Sequence, residues 1–121
     1  MIPGGDVIGV GIDAVDVERF RTVLGRRSAF AERAEAAARH DPVPGLAARF
    51  AAKEAVMKSL SVGLGAFDFA DVEVVRGEGG APALTVTGRA AELAAARAVG
   101  GWHVSLTHTA TVAMAIAVAY R

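Results

Sequence analysis

The 121-residue chain contains no cysteine, which excludes disulfides and thiolate metal sites. Aromatic residues make up only 6% of it, and much of the 53% hydrophobic content is alanine, so we expect close helix contacts and few large anchors in the core. The chain also has no excess of positive or negative charge. The 13 basic residues balance 13 acidic ones, which argues against general nucleic-acid binding.

Long apolar runs and targeting signals are also missing. No stretch approaches the roughly 20 apolar residues of a membrane helix, and the apolar residues 110–120 indicate a buried strand. The first residues, Met-Ile-Pro-Gly-Gly-Asp, lack the basic start and apolar run of a secretory signal. We therefore expect a cytoplasmic protein without a membrane partner. The length predicts one domain over residues 1–121, and the alanine-rich core favours self-association.

Periodicity and turn residues along the chain predict an α+β fold, in which an antiparallel sheet packs against helices. The predicted order is β, three helices, β-β, α, β-β, with breaks at residues 40–45 and 77–80. The predicted strands cover residues 7–12, 72–76, 82–87, 102–107 and 111–120, and the predicted helices cover residues 15–24, 29–39, 46–60 and 88–99.

Three charged residues have the types and spacing of a phosphate-handling site. Asp13 ends the first predicted strand, and Glu54 and Lys58 lie four positions apart on one face of a predicted helix. Taken alone, Asp13 is also typical of a turn or helix cap, and Glu54 with Lys58 is typical of a weak surface ion pair. If the fold brings Asp13 and Glu54 together, they form half a site for a hard divalent cation with a lysine beside it.

The chain carries three motifs in one order: G-I-D-x-V-x-x-x-R at residues 11–19, R-F-A-A-K-E-A-x-x-K at residues 49–58, and H-V-S-L-T-H-T at residues 103–109. In these motifs the sequence resembles the holo-acyl-carrier-protein synthase family, the small single-domain phosphopantetheinyl transferases. The resemblance implies the 4′-phosphopantetheinyl transferase fold. It also implies a homotrimer with active sites between subunits.

The resemblance implies a Mg²⁺-dependent enzyme that transfers the 4′-phosphopantetheine arm of coenzyme A to a serine of an apo acyl carrier protein, releasing adenosine 3′,5′-bisphosphate. Asp13 and Glu54 would be the metal ligands, since Mg²⁺ usually binds one or two carboxylates and keeps water and phosphate for the rest of its shell. Lys58 would face the phosphates and stabilise negative charge. The base that takes the serine proton stays open between Glu54, acting through a water, and His103.

Further residues match family positions around the coenzyme. Because the interval from His103 to His108 is odd, their side chains should point to opposite faces of a strand. Arg19 and Arg26 belong to a basic segment, residues 19–27, which is either a solvated helix face or the dock for the acidic carrier protein. The residues expected to bind coenzyme A are Arg49, Lys53, Gly63, Pro82, Ser105, Thr107 and His108, with His103 near its nucleotide.

The chain departs from the family pattern in two places. The segment 31–48 is shorter than in the family, and Ser61 stands where family members tend to have glycine. One alternative is therefore a non-catalytic relative that binds carrier protein or coenzyme A. Another is an unrelated α+β ligand-binding domain whose motifs are accidental.

Overall fold

The computed structural model describes residues 6–24 and 41–121, and within these ranges it confirms the predicted α+β class. The predicted helix over residues 29–39 lies outside the described residues. The described strands are β1 (Val7–Asp16), β2 (Val72–Arg76), β3 (Pro82–Val86), β4 (Gly101–His108) and β5 (Val112–Tyr120), and the helices are α1 (Val17–Leu24), α2 (Val43–Ser59) and α3 (Gly88–Ala96).

The strands form two antiparallel sheets instead of one. The main sheet has the order β1-β5-β4, while β2 and β3 pair only with each other as a hairpin. Helix α2 packs across the main sheet and contacts β1, β4 and β5. We call the sheet face against α2 the inner face and the opposite one the outer face. Within the described ranges, no helix combines the length and apolar character that a membrane span requires.

Alanine builds the contact between α2 and the main sheet. Every second residue of β5 points to the inner face, and these four residues are all buried alanines: Ala113, Ala115, Ala117 and Ala119. The facing surface of α2 is equally small and buried, with Ala47, Ala48, Ala51, Ala52 and Ala55. Small side chains on both surfaces let the helix lie close to the strands. The predicted core of close contacts is therefore confirmed.

Two glycines let β1 lie equally close to α2. A Cβ atom on Gly9 would overlap the backbone carbonyl of Ser59, and one on Gly11 would overlap that of Ala55. Because neither glycine has a side chain, β1 lies directly on the C-terminal half of α2. This contact brings the residue two positions after Gly11, Asp13, to the helix segment that carries Glu54 and Lys58.

Two of the predicted boundaries that differ from the structure bear on the site. Strand β1 runs to Asp16, where it still pairs with Val112, so Asp13 lies inside the strand and not at its end. Helix α2 begins at Val43, inside the predicted break, because proline is tolerated in the first turn of a helix, where its missing N–H costs nothing.

Candidate active site

The ammonium group of Lys58 joins α2 to β1. Its Nζ lies 3.2 Å from Oδ1 of Asp13 and donates a hydrogen bond of 3.0 Å to the carbonyl of Ile12. The Asp13 side chain is 17% exposed and that of Lys58 is 51% exposed, so the pair stands at the mouth of a recess and not inside the core. The lysine is thus held beside the carboxylate while its outer side remains open to a ligand.

Glu54 and Asp13 line the same cavity, of about 500 Å³. Burial raises the pKa of Glu54 above its ordinary value of 4.5, the negative charge of Asp13 raises this pKa further, and the positive charge of Lys58 partly opposes both. Since both carboxylates line this one cavity, they face a common space. Asp16 and Arg19 also line this cavity with opposite charges, so Asp13 and Glu54 face only the one ammonium group of Lys58, and the cavity favours a further cation.

The donor set of this cavity fits magnesium. Both acidic groups offer hard oxygen ligands, and the described residues contain no cluster of three or more histidine, cysteine or acidic side chains arranged for a metal. Two carboxylates leave most of an octahedral shell to water and substrate phosphate, which is the usual protein environment of Mg²⁺. Asp16, the nearest competing carboxylate, instead accepts a 2.8 Å hydrogen bond from the Arg19 N–H and so caps α1.

An aromatic cavity of about 460 Å³ adjoins the carboxylate cavity and shares Phe20 and Phe50 with it. The rings of Phe20, Phe50 and Phe69 form a chain, with centroids 5.5 and 5.4 Å apart. Lys53, predicted to bind coenzyme A, lines this cavity and donates a 2.9 Å hydrogen bond to the carbonyl of Phe69. In this position Lys53 holds the loop before β2 onto α2, and its binding role stays a prediction.

A third cavity, of about 290 Å³, contains three of the residues predicted to bind coenzyme A. Arg49 of α2, Pro82 of β3 and His108 at the end of β4 line it together, and Arg76 joins them. Sequence reasoning missed Arg76, because it belongs to none of the three motifs. The one available signal was its place immediately before the glycine turn that leads to Pro82.

The remaining predicted residues of β4 lie elsewhere. His103 pairs with Val118 and His108 with the buried Ala113, which confirms that the two histidines point to opposite faces. On the outer face the ring of His103 stacks on Tyr120 at 4.7 Å. Ser105 and Thr107 line a small outer-face cavity of about 160 Å³.

The structure therefore does not bring His103 to the carboxylates within one chain. Asp13 pairs with Ala115 and so points to the inner face, whereas His103 lies on the outer face of the opposite edge strand. Gly63 is an exposed residue of the loop after α2 and lines none of these four cavities. Its predicted contact with coenzyme A stays a prediction.

The two described arginines of the basic segment differ in their surroundings. Arg21 is bound to Glu18 at 3.3 Å and to Asp41 at 2.5 Å, and these acidic partners raise its pKa. The side chain of Arg19 forms no ion pair with a described residue and lines the carboxylate cavity. Arg19 is therefore available to a partner at the site. Arg26 lies outside the described residues.

Comparison with known proteins shows the family of this chain. The sequence profile of the 4′-phosphopantetheinyl transferase superfamily matches residues 9–117. A Frankia casuarinae protein named holo-[acyl-carrier-protein] synthase is 46% identical over 115 residues, which cover 93% of this chain and 97% of that protein.

Two solved structures extend the comparison to the fold. The holo-[acyl-carrier-protein] synthase of Neisseria meningitidis superposes with a TM-score of 0.79 at 26% identity, covering 95% of this chain and 99% of the other. The Helicobacter pylori enzyme in complex with coenzyme A superposes with a TM-score of 0.72 at 29% identity, covering 91% and 98%.

Proposed function

This chain belongs to the 4′-phosphopantetheinyl transferase superfamily, and on that premise we propose that it transfers the 4′-phosphopantetheine arm of coenzyme A to a serine of an apo acyl carrier protein. The observation that carries the proposal is the cavity shared by Asp13 and Glu54, with Lys58 held 3.2 Å from Asp13. Relatives with the same fold carry the name of this activity, and one of them was solved with coenzyme A.

Asp13 and Glu54 would hold the Mg²⁺ ion. When bound, such an ion neutralises negative charge that develops on the phosphate oxygens during phosphoryl transfer. The repulsion between the two carboxylates, which adds to burial in raising the pKa of Glu54, is relieved when a cation occupies the space between them. Intact Asp13, Glu54 and Lys58 speak against the non-catalytic alternative, because a site without catalytic use has no reason to keep all three.

In the proposed reaction the serine Oγ of the carrier attacks the phosphorus that bears the pantetheine arm. A new Oγ–P bond forms, the P–O bond to the nucleotide breaks, and adenosine 3′,5′-bisphosphate leaves. Lys58, with its outer side exposed, donates to the phosphate oxygens as their charge increases. The serine proton would pass either to Glu54, acting through a water, or to His103 of another copy.

Carrier binding is proposed at α1. The unpaired Arg19 stands at the rim of the carboxylate cavity, beside the space that the attacking serine must reach. An acidic carrier protein would complement this charge, which raises the rate of association more than the final affinity. The exposed Val23 in the same cavity wall offers an apolar contact.

The proposed assembly is a homotrimer with active sites between subunits. Val10 and Ile12 are each 54% exposed and Ile116 is 37% exposed, and they form an apolar area on the outer face. Apolar areas of this kind mark protein interfaces. The outer face also carries His103, Ser105 and Thr107, so these residues can meet the carboxylates of another copy but not their own.

Mass spectrometry of an apo acyl carrier protein tests the function. After incubation with this protein, coenzyme A and Mg²⁺, the carrier should gain the mass of one phosphopantetheine group, and EDTA should prevent the gain. No gain with carriers from fatty-acid, polyketide and peptide synthesis would reject the transferase in favour of a non-catalytic binding protein.

The cytoplasmic location stays a prediction.

A further inference from the structure

The ammonium group of Lys53 binds the protein backbone. Its Nζ donates a partly buried 2.9 Å hydrogen bond to the carbonyl of Phe69, and among the described residues it forms no ion pair. Successive residues of a helix are turned about 100° from each other, so Lys53 and its neighbour Glu54 point in different directions. Lys53 lines the aromatic cavity, whereas Glu54 lines the carboxylate cavity. The lysine therefore fixes the position of the turn before β2 on α2.

The turn that accepts this bond is closed by hydrogen bonds at both ends. It is a single 3₁₀ turn, Phe69–Asp71, and leads directly into β2. The Asp68 carboxylate accepts a 2.9 Å hydrogen bond from the Ala70 N–H, and the Phe69 carbonyl accepts a second bond from the Val72 N–H. Because these bonds fix the backbone around Phe69, the bond from Lys53 to its carbonyl also fixes where its ring lies against α2.

The Phe69 ring lies at one end of a chain of rings that reaches the carboxylate cavity. It packs edge-on against Phe50 with centroids 5.4 Å apart, and Phe50 packs against Phe20 at 5.5 Å. Phe50 lies one turn before Glu54 on the same face of α2, and both line the carboxylate cavity. Aromatic pairs have preferred geometries that stabilise their contact. A displacement of Phe69 would therefore move the wall beside a proposed metal ligand.

We propose that Lys53 is a positioning residue for the transfer reaction, which acts through the rings of Phe69 and Phe50 and not by contact with a phosphate. Without its hydrogen bond, the turn before β2 would move relative to α2, and the space beside Glu54 would lose its shape. The proposal rests on the proposed function for the identity of the reaction. It differs from the direct binding of coenzyme A that the sequence predicts for Lys53, and experiments can distinguish the two roles.

Arg97 offers a matched control. Like Lys53, it donates from a long cationic side chain to a backbone carbonyl, that of Leu60, at 2.7 Å, but it lines none of the cavities described above. Lys53→Met and Arg97→Met each remove one charge-assisted hydrogen bond, so both should lower the melting temperature by about 5 °C. Only Lys53→Met should lower kcat/KM for transfer, by about 10-fold. Equal losses of kcat/KM in both variants, or no loss in Lys53→Met, would overturn the inference.

A double-mutant cycle separates positioning from direct binding. Phe69→Leu keeps the backbone carbonyl but removes the ring, and by itself it should lower kcat/KM about 10-fold. If Lys53 acts through this ring, the double variant Lys53→Met with Phe69→Leu should also lose only about 10-fold. Losses that multiply to about 100-fold would indicate that Lys53 contacts the coenzyme directly, against the inference.

Fluorine NMR tests the positioning without turnover. The five phenylalanines can be labelled together with 4-fluorophenylalanine, and Phe50→Leu and Phe69→Leu would assign the two signals that matter. Lys53→Met should shift or broaden both signals, and Arg97→Met should leave them in place. Unchanged signals in Lys53→Met would overturn the inference. A wild type that modifies no carrier protein would reject the proposed function, while these spectra would still decide whether Lys53 positions the rings.

Discussion

The two faces of the main sheet differ in how completely one chain covers them. On the inner face, small residues such as Gly11 and Ala115 press against α2, and the only acidic group of β1 inside this contact is Asp13. On the outer face, Ile12 and Ile116 lie side by side in the sheet and remain exposed. The comparison teaches that the proposed metal ligands lie on the face that α2 of the same chain covers, whereas the proposed trimer would cover the outer face.

The largest effect should come from the inner face. Asp13→Ala or Glu54→Ala should lower the transfer rate by about 10³-fold, because losing a metal ligand removes several kcal/mol of charge stabilisation in the transition state. Circular dichroism should show a folded protein in both cases. Glu92→Ala, which removes an exposed carboxylate of α3, is the control and should keep full activity. Wild-type rates in both inner-face variants would remove these residues as ligands.

The outer face should respond next. Ile116→Glu places a charge in the middle of the exposed apolar area, and burying it between copies costs several kcal/mol. Light scattering after size exclusion should show a change from trimer to monomer, and transfer should fall about 100-fold. Thr85→Glu, on an exposed position of β3, should leave the trimer intact. An assembled and active Ile116→Glu protein would contradict a role of the outer face.

Charge at α1 should affect one substrate only. Arg19→Glu should raise the KM for carrier protein about 10-fold at low salt and leave the KM for coenzyme A unchanged, because it reverses attraction to an acidic partner. Arg21→Glu is the matched control. Since Arg21 is already bound to Glu18 and Asp41, its effect on the carrier KM should be much smaller. Equal effects on both substrates would argue against docking at Arg19.

The raised pKa of Glu54 predicts how the stability of the protein depends on pH. A pKa raised in the folded state means that the contribution of Glu54 to stability is fully present below its ordinary value of 4.5 and is lost as the pH rises through the raised pKa. In EDTA, Glu54→Gln should therefore melt at a higher temperature than the wild type at pH 7, and the difference should disappear below pH 4.5. A variant less stable than the wild type at pH 7 would show that the folded state does not raise the pKa of Glu54.

The smallest predicted effect is on stability, at Ser61 after the end of α2. Ser61 has a φ angle of 57°, in the left-handed region that glycine adopts without strain and serine does not. Ser61→Gly should therefore raise the free energy of unfolding by about 0.5–1 kcal/mol in urea denaturation. Ala98→Gly, at a φ angle of 62° after α3, should do the same and is a second test of the cause. Destabilisation by either change would disprove the strain.

Most of the inner face could be predicted from the sequence. Motif residues on one predicted strand and one predicted helix indicated that Asp13, Glu54 and Lys58 would meet. The structure brings Asp13 and Glu54 to one cavity and holds Lys58 3.2 Å from Asp13. The boundaries were harder. Asp16 caps α1 from the last position of β1, and Pro44 lies inside the first turn of α2. Residue types that indicate a loop in the sequence can therefore also stand at the end of a strand or the start of a helix.

The relation between the faces could not be predicted, because it depends on the strand order and not on local pattern. Only the order β1-β5-β4 shows that His103 and Asp13 lie on opposite edge strands. The place of Arg76 in a cavity with Arg49 could not be predicted for a related reason. The end of the hairpin reaches Arg49 only because the hairpin packs against α2. Ser61, in contrast, was a visible departure from the family's glycine, and the positive φ explains why glycine fits there.

Subunit complementation tests the central claim most directly. Asp13→Ala would be co-expressed with a double variant of the outer face, His103→Ala with Ser105→Ala, and transfer measured on the purified mixed assembly. If the two faces meet between copies, about a quarter of the sites in a random mixture are intact, and activity should rise to that fraction of the wild type. A mixed assembly no more active than its two parents, or a fully active outer-face double variant, would contradict the account.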